Sequence, residues 1–207
     1  MEIIVQNDII TLAIQPVQPE IYYKNYFQYS DIAQKASTFS NTHRRCEWLN
    51  THDLLHQLIQ PPVTYTYNSE GKPELLGTSL FLSITHSPHY SAVALSKTHR
   101  LGVDMEEDDA DFIKASRKFL HATEKIWAAG QNDLLRAIWC AKESIYKMQI
   151  NASPNFSIDY EIHPFTLNPT GTITATITTP IKRQINIYYC HRQNYFITWC
   201  FQNGIYK

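Results

Sequence analysis

Along residues 9–17 apolar and polar positions alternate, the period of a half-buried strand. From 31 to 59 the spacing lengthens to that of a helix in two pieces, the second carrying Trp48, Leu55 and Ile59 at helical intervals. Pro61-Pro62 ends it, because proline donates no amide hydrogen and crowds the turn before it. Residues 63–67 predict a strand and Asn68-Ser69-Glu70-Gly71 a turn, while 80–84 and 91–95 predict two strands that pair across a turn containing Pro88. A strand over 102–106 precedes a helical region, 110–148, broken near His121 and Gly130. Beyond it Thr172-Ile173-Thr174-Ala175-Thr176-Ile177-Thr178 alternates cleanly, 185–189 alternates again, and 195–201 is rich in aromatic and β-branched residues, so three closing strands are expected. No linker rich in Gly or Ser and no low-complexity tract interrupts the chain, so a division near Arg100 falls between intimately packed halves.

Two blocks carry candidate chemistry: Gly102-Val103-Asp104-Met105-Glu106 and Trp139-Cys140-Ala141-Lys142-Glu143-Ser144-Ile145-Tyr146-Lys147. On a strand, side chains at i and i+2 share a face, so Asp104 and Glu106 are placed to share one Mg²⁺. Glu143 adds a third hard oxygen ligand, and Lys142 and Lys147 stand near it to balance phosphate charge. At about 100° per residue from Leu134, the residues Leu134, Ile138, Ala141, Ile145 and Met148 cluster on one side of the helix. Glu143 falls opposite, at about 180°, with Arg136 and Lys147 near 200 to 220° and Trp139 near 140°. The charged positions are thus expected to look away from that core, as a solvated face with a Glu143–Lys147 pair or as the wall of a cleft. A large indole on the same side favours the cleft.

Composition narrows the picture. The chain has 207 residues, 43% hydrophobic and 18% charged, enough for one sizeable core or two small fused ones. A net charge of −1 gives no basic face for nucleic acid or an anionic membrane, so phosphate recognition must be local. Cys46, Cys140, Cys190 and Cys200 lack CxxC spacing and are expected as reduced thiols. Glu2 and Asp8 interrupt the first apolar stretch, no basic n-region precedes it, and no apolar run reaches membrane-spanning length, so a cytoplasmic protein is expected. His52 and His56 have the i, i+4 spacing of a helical zinc pair but no third ligand in pattern, and are expected on a helix surface. His86 and His89 likewise have no further metal ligand in pattern, and Asp108, Asp109 and Asp111 read as a solvated acidic loop.

In this order the two blocks resemble the signature of the 4'-phosphopantetheinyl transferases, specifically the long, surfactin-synthetase-activating type. Gly71-Lys72-Pro73 is similar to that family's GKP block, and Ser83-Ile84-Thr85-His86-Ser87 to its asparagine-x-Ser-His-Ser block. Lys118-Phe119-Leu120-His121-Ala122-Thr123-Glu124 resembles the Phe-rich stretch ending in Glu between the metal blocks. Ser83 stands where the family usually has asparagine, and Thr85 where it has serine, which keeps a hydroxyl.

The resemblance implies an α+β fold of two similar pseudo-symmetric α/β halves packed together, each with a small mainly antiparallel sheet and a long helix. Residues 1–100 would form the N-terminal half and 101–207 the C-terminal half with the metal motif, coenzyme A and Mg²⁺ being bound in the cleft between them. It implies transfer of 4'-phosphopantetheine from coenzyme A to a serine of an apo acyl or peptidyl carrier protein, with release of 3',5'-ADP, by a monomer. The carrier could serve fatty-acid, polyketide or nonribosomal-peptide synthesis. By matching positions, Asp104, Glu106 and Glu143 would hold Mg²⁺, and Lys72, Thr85, His86 and Lys147 would contact coenzyme A phosphates. Trp139 would line the pantetheine and carrier side, and Arg44 or Arg45 would help hold the adenosine 3'-phosphate. Glu143 is the candidate base for the serine proton, with Lys147 beside it. Two rivals stand beside this reading: a Mg²⁺-dependent nuclease, which lacks its usual lysine two positions after the glutamate, and a coenzyme A or phosphate-binding module without turnover.

Overall fold

The computed structural model describes residues 1–60, 63–149, 153–192 and 194–202. Pro61-Pro62, read as the stop of the second helix, lie outside the described residues; that helix ends at Leu58. The chain divides into two compact units, Met1–Thr98 and His99–Lys207, and mixes helices with antiparallel sheets, an α+β fold. Among the described residues no helix is long and apolar enough to cross a membrane.

The first unit holds β1 (Glu2–Gln6), β2 (Thr11–Pro16), a 3-10 segment Glu20–Gln28, α1 (Ser30–Ser37) and α2 (Thr42–Leu58), then β3 (Tyr65–Tyr67), β4 (Pro73–Leu75), β5 (Phe81–His86) and β6 (Tyr90–Ser96). Its four-stranded antiparallel sheet runs β1-β2-β6-β5, and β3 pairs with β4 in a separate hairpin. The β5–β6 hairpin is the one expected across Pro88. Asn41 starts α2 by accepting hydrogen bonds from the amides of His43 and Arg44, two donors a helix start otherwise leaves unpaired. Leu49, Leu54 and Leu55 of α2 then bury against Ala13, Val93 and Leu95 of the sheet. The 3-10 segment carries no clear period and is tied down by polar side chains instead. Tyr23 Oη donates to Asn50 Oδ1 and Tyr26 Oη to Asp53 Oδ1, each at 2.8 Å.

The second unit holds β7 (Leu101–Glu107), the short helices α3 (Ser116–Phe119) and α4 (Glu124–Trp127), the 17-residue α5 (Asn132–Met148), α6 (Phe156–Asp159), β8 (Tyr160–Ile162), β9 (Thr170–Ile177), β10 (Arg183–His191) and β11 (Tyr195–Phe201). Its antiparallel sheet runs β7-β11-β10-β9-β8. The alternation read in the tail is the pleat itself: Ile173, Ala175 and Ile177 of β9 and Ile185, Ile187 and Tyr189 of β10 turn to one core with Ile138, Ala141, Ile145 and Met148 of α5. Each isoleucine buried there contributes roughly 1.5–3 kcal/mol over its exposed state. All four cysteines are buried as free thiols.

Candidate functional site

β7 is an edge strand whose antiparallel neighbour β11 sets Asp104 opposite Thr198 and Glu106 opposite Phe196. The pleat turns Gly102, Asp104 and Glu106 to the face that α5 covers. The approach is close. A Cβ on Gly102 would stand 1.9 Å from the backbone oxygen of Ser144, so glycine is what allows the helix backbone to lie on the strand. Ser144 Oγ lies 2.6 Å from Thr198 Oγ1, and Thr198 Oγ1 donates to the Cys140 carbonyl at 2.8 Å, pinning the middle of α5 to β11.

That contact puts the 139, 143 and 147 positions of α5, one turn apart, over the carboxylates of β7. Lys147 Nζ donates to Asp104 Oδ1 at 2.6 Å, and Trp139 Nε1 donates to Glu106 Oε1 at 3.0 Å. Between them in sequence, the Glu143 side chain makes no hydrogen bond or ion pair with any described residue. Burial, with the negative charge of Asp104 adding to it, pushes the Glu143 carboxyl up to about 7, and Lys147 offsets part of this. Glu106 is pushed up to about 7 by the same two causes in the same order, while the indole hydrogen bond pulls it down. Each displaced carboxyl marks negative charge held without enough water or cation around it.

Lys142 departs from the expectation. It is fully buried, and its ammonium donates to Glu124 Oε2 at 2.8 Å and to the carbonyls of Phe119 and Phe156 at 2.8 and 2.9 Å. Three N–H groups meet three acceptors, so Lys142 is not available to balance phosphate charge. Glu124 is equally buried and accepts the amides of His121 and Ile162, both at 2.7 Å. The pair thus ties α4, α5, α6 and β8 together. Arg136 also departs from its place on the polar side of the helix wheel. Only 1% exposed, it pairs with Asp108 at 3.2 Å and Asp133 at 3.0 Å, and His191 Nε2 stands 3.0 Å from Asp108 Oδ1. Asp108 is therefore part of an ion-pair cluster rather than a solvated loop. Asp111 accepts the Ile113 amide in a local turn.

Trp139 lies half-buried against Phe112, Phe119 and Phe156, with centroid separations of 6.2, 5.2 and 5.7 Å. The structure thus gathers Asp104, Glu106, Trp139, Glu143 and Lys147 on two packed elements. In the first unit Arg44 and Arg45 lie on α2, Lys72 in the turn before β4, and Thr85 and His86 on β5. Gly71, at φ 75°, turns the chain where a side chain would be strained, and Asn68 Oδ1 accepts the Lys72 amide at 3.0 Å, so the turn chemistry read in the sequence places Lys72. Thr85 is buried, and His86 Nδ1 lies 3.1 Å from Ser91 Oγ, its partner across the β5–β6 hairpin. Arg44 pairs with Glu47 at 2.9 Å and Arg45 with Glu20 at 3.3 Å. His52 is not on a surface: it is fully buried and stacked on Tyr65, and His56 is half-buried.

The indole contact to Glu106 and the Lys142–Glu124 pair were both missed by periodicity. The only signal for the second was the glutamate ending the Phe-rich block.

Among the described residues no group of three or more His, Cys, Asp or Glu forms a ready-made metal cage. The chemistry of the donor set nevertheless fits a hard divalent cation. Asp104, Glu106 and Glu143 are all carboxylates that feel one another's charge, and Mg²⁺ is commonly held by one or two carboxylates plus waters and substrate phosphates.

Comparison with a protein-family model covers the segment that carries this row. Residues 100–200 match the 4'-phosphopantetheinyl transferase superfamily. The chain is also similar to the 4'-phosphopantetheinyl transferase AcpT of Salmonella typhi, 26% identical over 119 residues that cover 51% of this chain. The match spans 59% of that relative's length.

Proposed function

We propose that this chain, which belongs to the 4'-phosphopantetheinyl transferase superfamily, moves 4'-phosphopantetheine from coenzyme A onto a serine of an apo acyl or peptidyl carrier protein, as a cytoplasmic monomer of the long type. The observation that carries the reading is the row along α5 and β7: two carboxylates each held by a donor, Asp104 by Lys147 and Glu106 by Trp139, and a third, Glu143, held by no described residue.

The serine hydroxyl attacks the β-phosphorus of the coenzyme A pyrophosphate. A new Ser O–P bond forms, the bond from that phosphorus to the bridging oxygen breaks, and 3',5'-ADP leaves with the electron pair. Glu143 accepts the serine proton, because no described donor engages its oxygens. Lys147 supplies positive charge near the phosphoryl oxygens while holding Asp104 in place. Asp104, Glu106 and Glu143 would hold Mg²⁺, which when bound screens the pyrophosphate charge and stabilises the departing one. In the first unit Lys72, Thr85 and His86 would contact coenzyme A phosphates, and Arg44 or Arg45 the adenosine 3'-phosphate, on the strength of the sequence resemblance alone. The half-buried Trp139 would border the pantetheine arm.

Intact-mass measurement of an apo carrier protein incubated with this protein, coenzyme A and Mg²⁺ tests the reading. A gain of one phosphopantetheine, abolished by chelation, is expected. No gain on fatty-acid or peptidyl carriers, with coenzyme A still bound, would replace it with the non-catalytic binding module.

A further inference from the structure

One contact in the row takes no part in the proposed transfer. Trp139 Nε1 donates to Glu106 Oε1 at 3.0 Å. Glutamate has three side-chain torsions, and the last is broad, so an unheld carboxylate at this position samples many oxygen placements. The second oxygen, Oε2, accepts no hydrogen bond from any described residue. The indole cannot easily turn away, because Phe112, Phe119 and Phe156 pack around it.

The choice of side chain is informative. An indole N–H is a donor only, and it is neutral. It orients a carboxylate without cancelling its charge, whereas a lysine or arginine at 139 would form an ion pair and compete with any cation. A phenylalanine would keep the aromatic packing and lose the donor. Tryptophan joins an apolar body that fits this wall to a neutral tip that reaches Glu106 and, unlike a phenol, can only donate.

We infer that Trp139 is a positioning residue: it fixes the Glu106 carboxylate through one oxygen and leaves the other aimed for a divalent cation. The inference rests on the reading of Asp104, Glu106 and Glu143 as the cation's carboxylates. It gives Trp139 a task in the protein before any coenzyme A or carrier arrives.

Mn²⁺ binding to the full chain, followed by electron paramagnetic resonance without coenzyme A or carrier, tests it in three proteins: wild type, Trp139→Phe and Glu106→Gln. Wild type should bind. Trp139→Phe should melt within a few degrees of wild type and bind Mn²⁺ about tenfold more weakly, the low end of what losing a partner of a metal ligand costs. Glu106→Gln should bind more weakly still. Equal Mn²⁺ affinity in wild type and Trp139→Phe, with Glu106→Gln impaired, overturns the positioning role and leaves the carboxylate reading intact. Failure of wild type itself to bind Mn²⁺ removes both. Should Trp139→Phe fail to fold, the indole N–H resonance of Trp139 in the wild-type protein carries the same test by NMR. A shift on titration with Mg²⁺ supports the inference, and an unmoved signal at a concentration that saturates the site overturns it.

Discussion

Replacing Lys142 by methionine removes an ammonium from the centre of the second unit and keeps most of the side chain's volume. Lys142 and Glu124 are both fully buried, and each is surrounded by hydrogen-bond partners that only the other's charge completes. Burial pulls the lysine down to about 8 even with Glu124 opposing the shift. That downward displacement means that desolvation of the buried ammonium outweighs even its partner's attraction. The pair is therefore not a large net source of stability, yet breaking it is expensive. Lys142→Met leaves the Glu124 carboxylate buried without a counter-charge and two carbonyls without a donor, a loss of about 3–5 kcal/mol. Glu124→Gln should lose a similar amount for the reciprocal reason. The double variant Lys142→Met/Glu124→Gln buries no net charge, so it should be no less stable than either single one, a coupling of about 3 kcal/mol. Urea denaturation followed by tryptophan fluorescence, with the denaturant slope compared across the four proteins, measures the cycle. Additive losses would refute the argument. So would a Lys142→Met protein of wild-type stability that has lost coenzyme A affinity, because that is the behaviour of a phosphate contact.

Gly102→Ala should cost about 3 kcal/mol or more, since its methyl group would overlap the Ser144 backbone and push α5 off β7; unchanged stability in denaturant would show that the helix yields without strain. His52 is held neutral, pulled down to about 4 chiefly by burial: Nδ1 donates to the Trp48 carbonyl at 2.9 Å and Nε2 has no hydrogen-bond partner among the described residues. Its folded value lies below its unfolded one, so the stability it confers is complete above about 6.5 and falls as pH drops toward 4, by about 3 kcal/mol. His52→Phe should lack that part of the acid dependence, and parallel stability-versus-pH curves for the two proteins would disprove it. Glu143→Gln keeps an oxygen for a cation but accepts no proton, so transfer to the carrier should fall by at least about 100-fold with the fold intact by circular dichroism; appreciable turnover with an unchanged pH profile would remove Glu143 as the base.

The sequence was most informative where one period governed one face. β9 and β10 alternate because one side of each packs on the core and the other does not, and that is visible in Thr172 to Thr178 without any partner in view. The strands that escaped notice, β1, β4 and β8, are three to five residues long, too short for a period to register. The carboxylates followed from the pleat alone: Asp104 and Glu106 share a face because strand side chains alternate, whatever covers them.

The same reasoning failed on α5, and the failure explains why its charged face is more than a solvated surface. A helix wheel treats charge as a marker of water, which holds only when one side of the helix is uncovered. Here the side with Trp139, Glu143 and Lys147 packs toward β7, and the flank with Lys142 is closed by residues near 119, 124 and 156. Lys142 and Arg136 are buried because acceptors 18 and 28 positions away in the chain reach them, a long-range fact that no local period carries. Once those cations are satisfied inside the protein, the charges left on the face toward β7 can be sorted by what holds them. Lys147 is committed to Asp104 and Glu106 to Trp139, whereas Glu143 is crowded by like charge and held by nothing described. A carboxylate kept in that state is destabilising unless a cation or a proton relieves it. Its persistence between two tethered carboxylates is therefore the strongest structural reason to look for chemistry at this point of the chain.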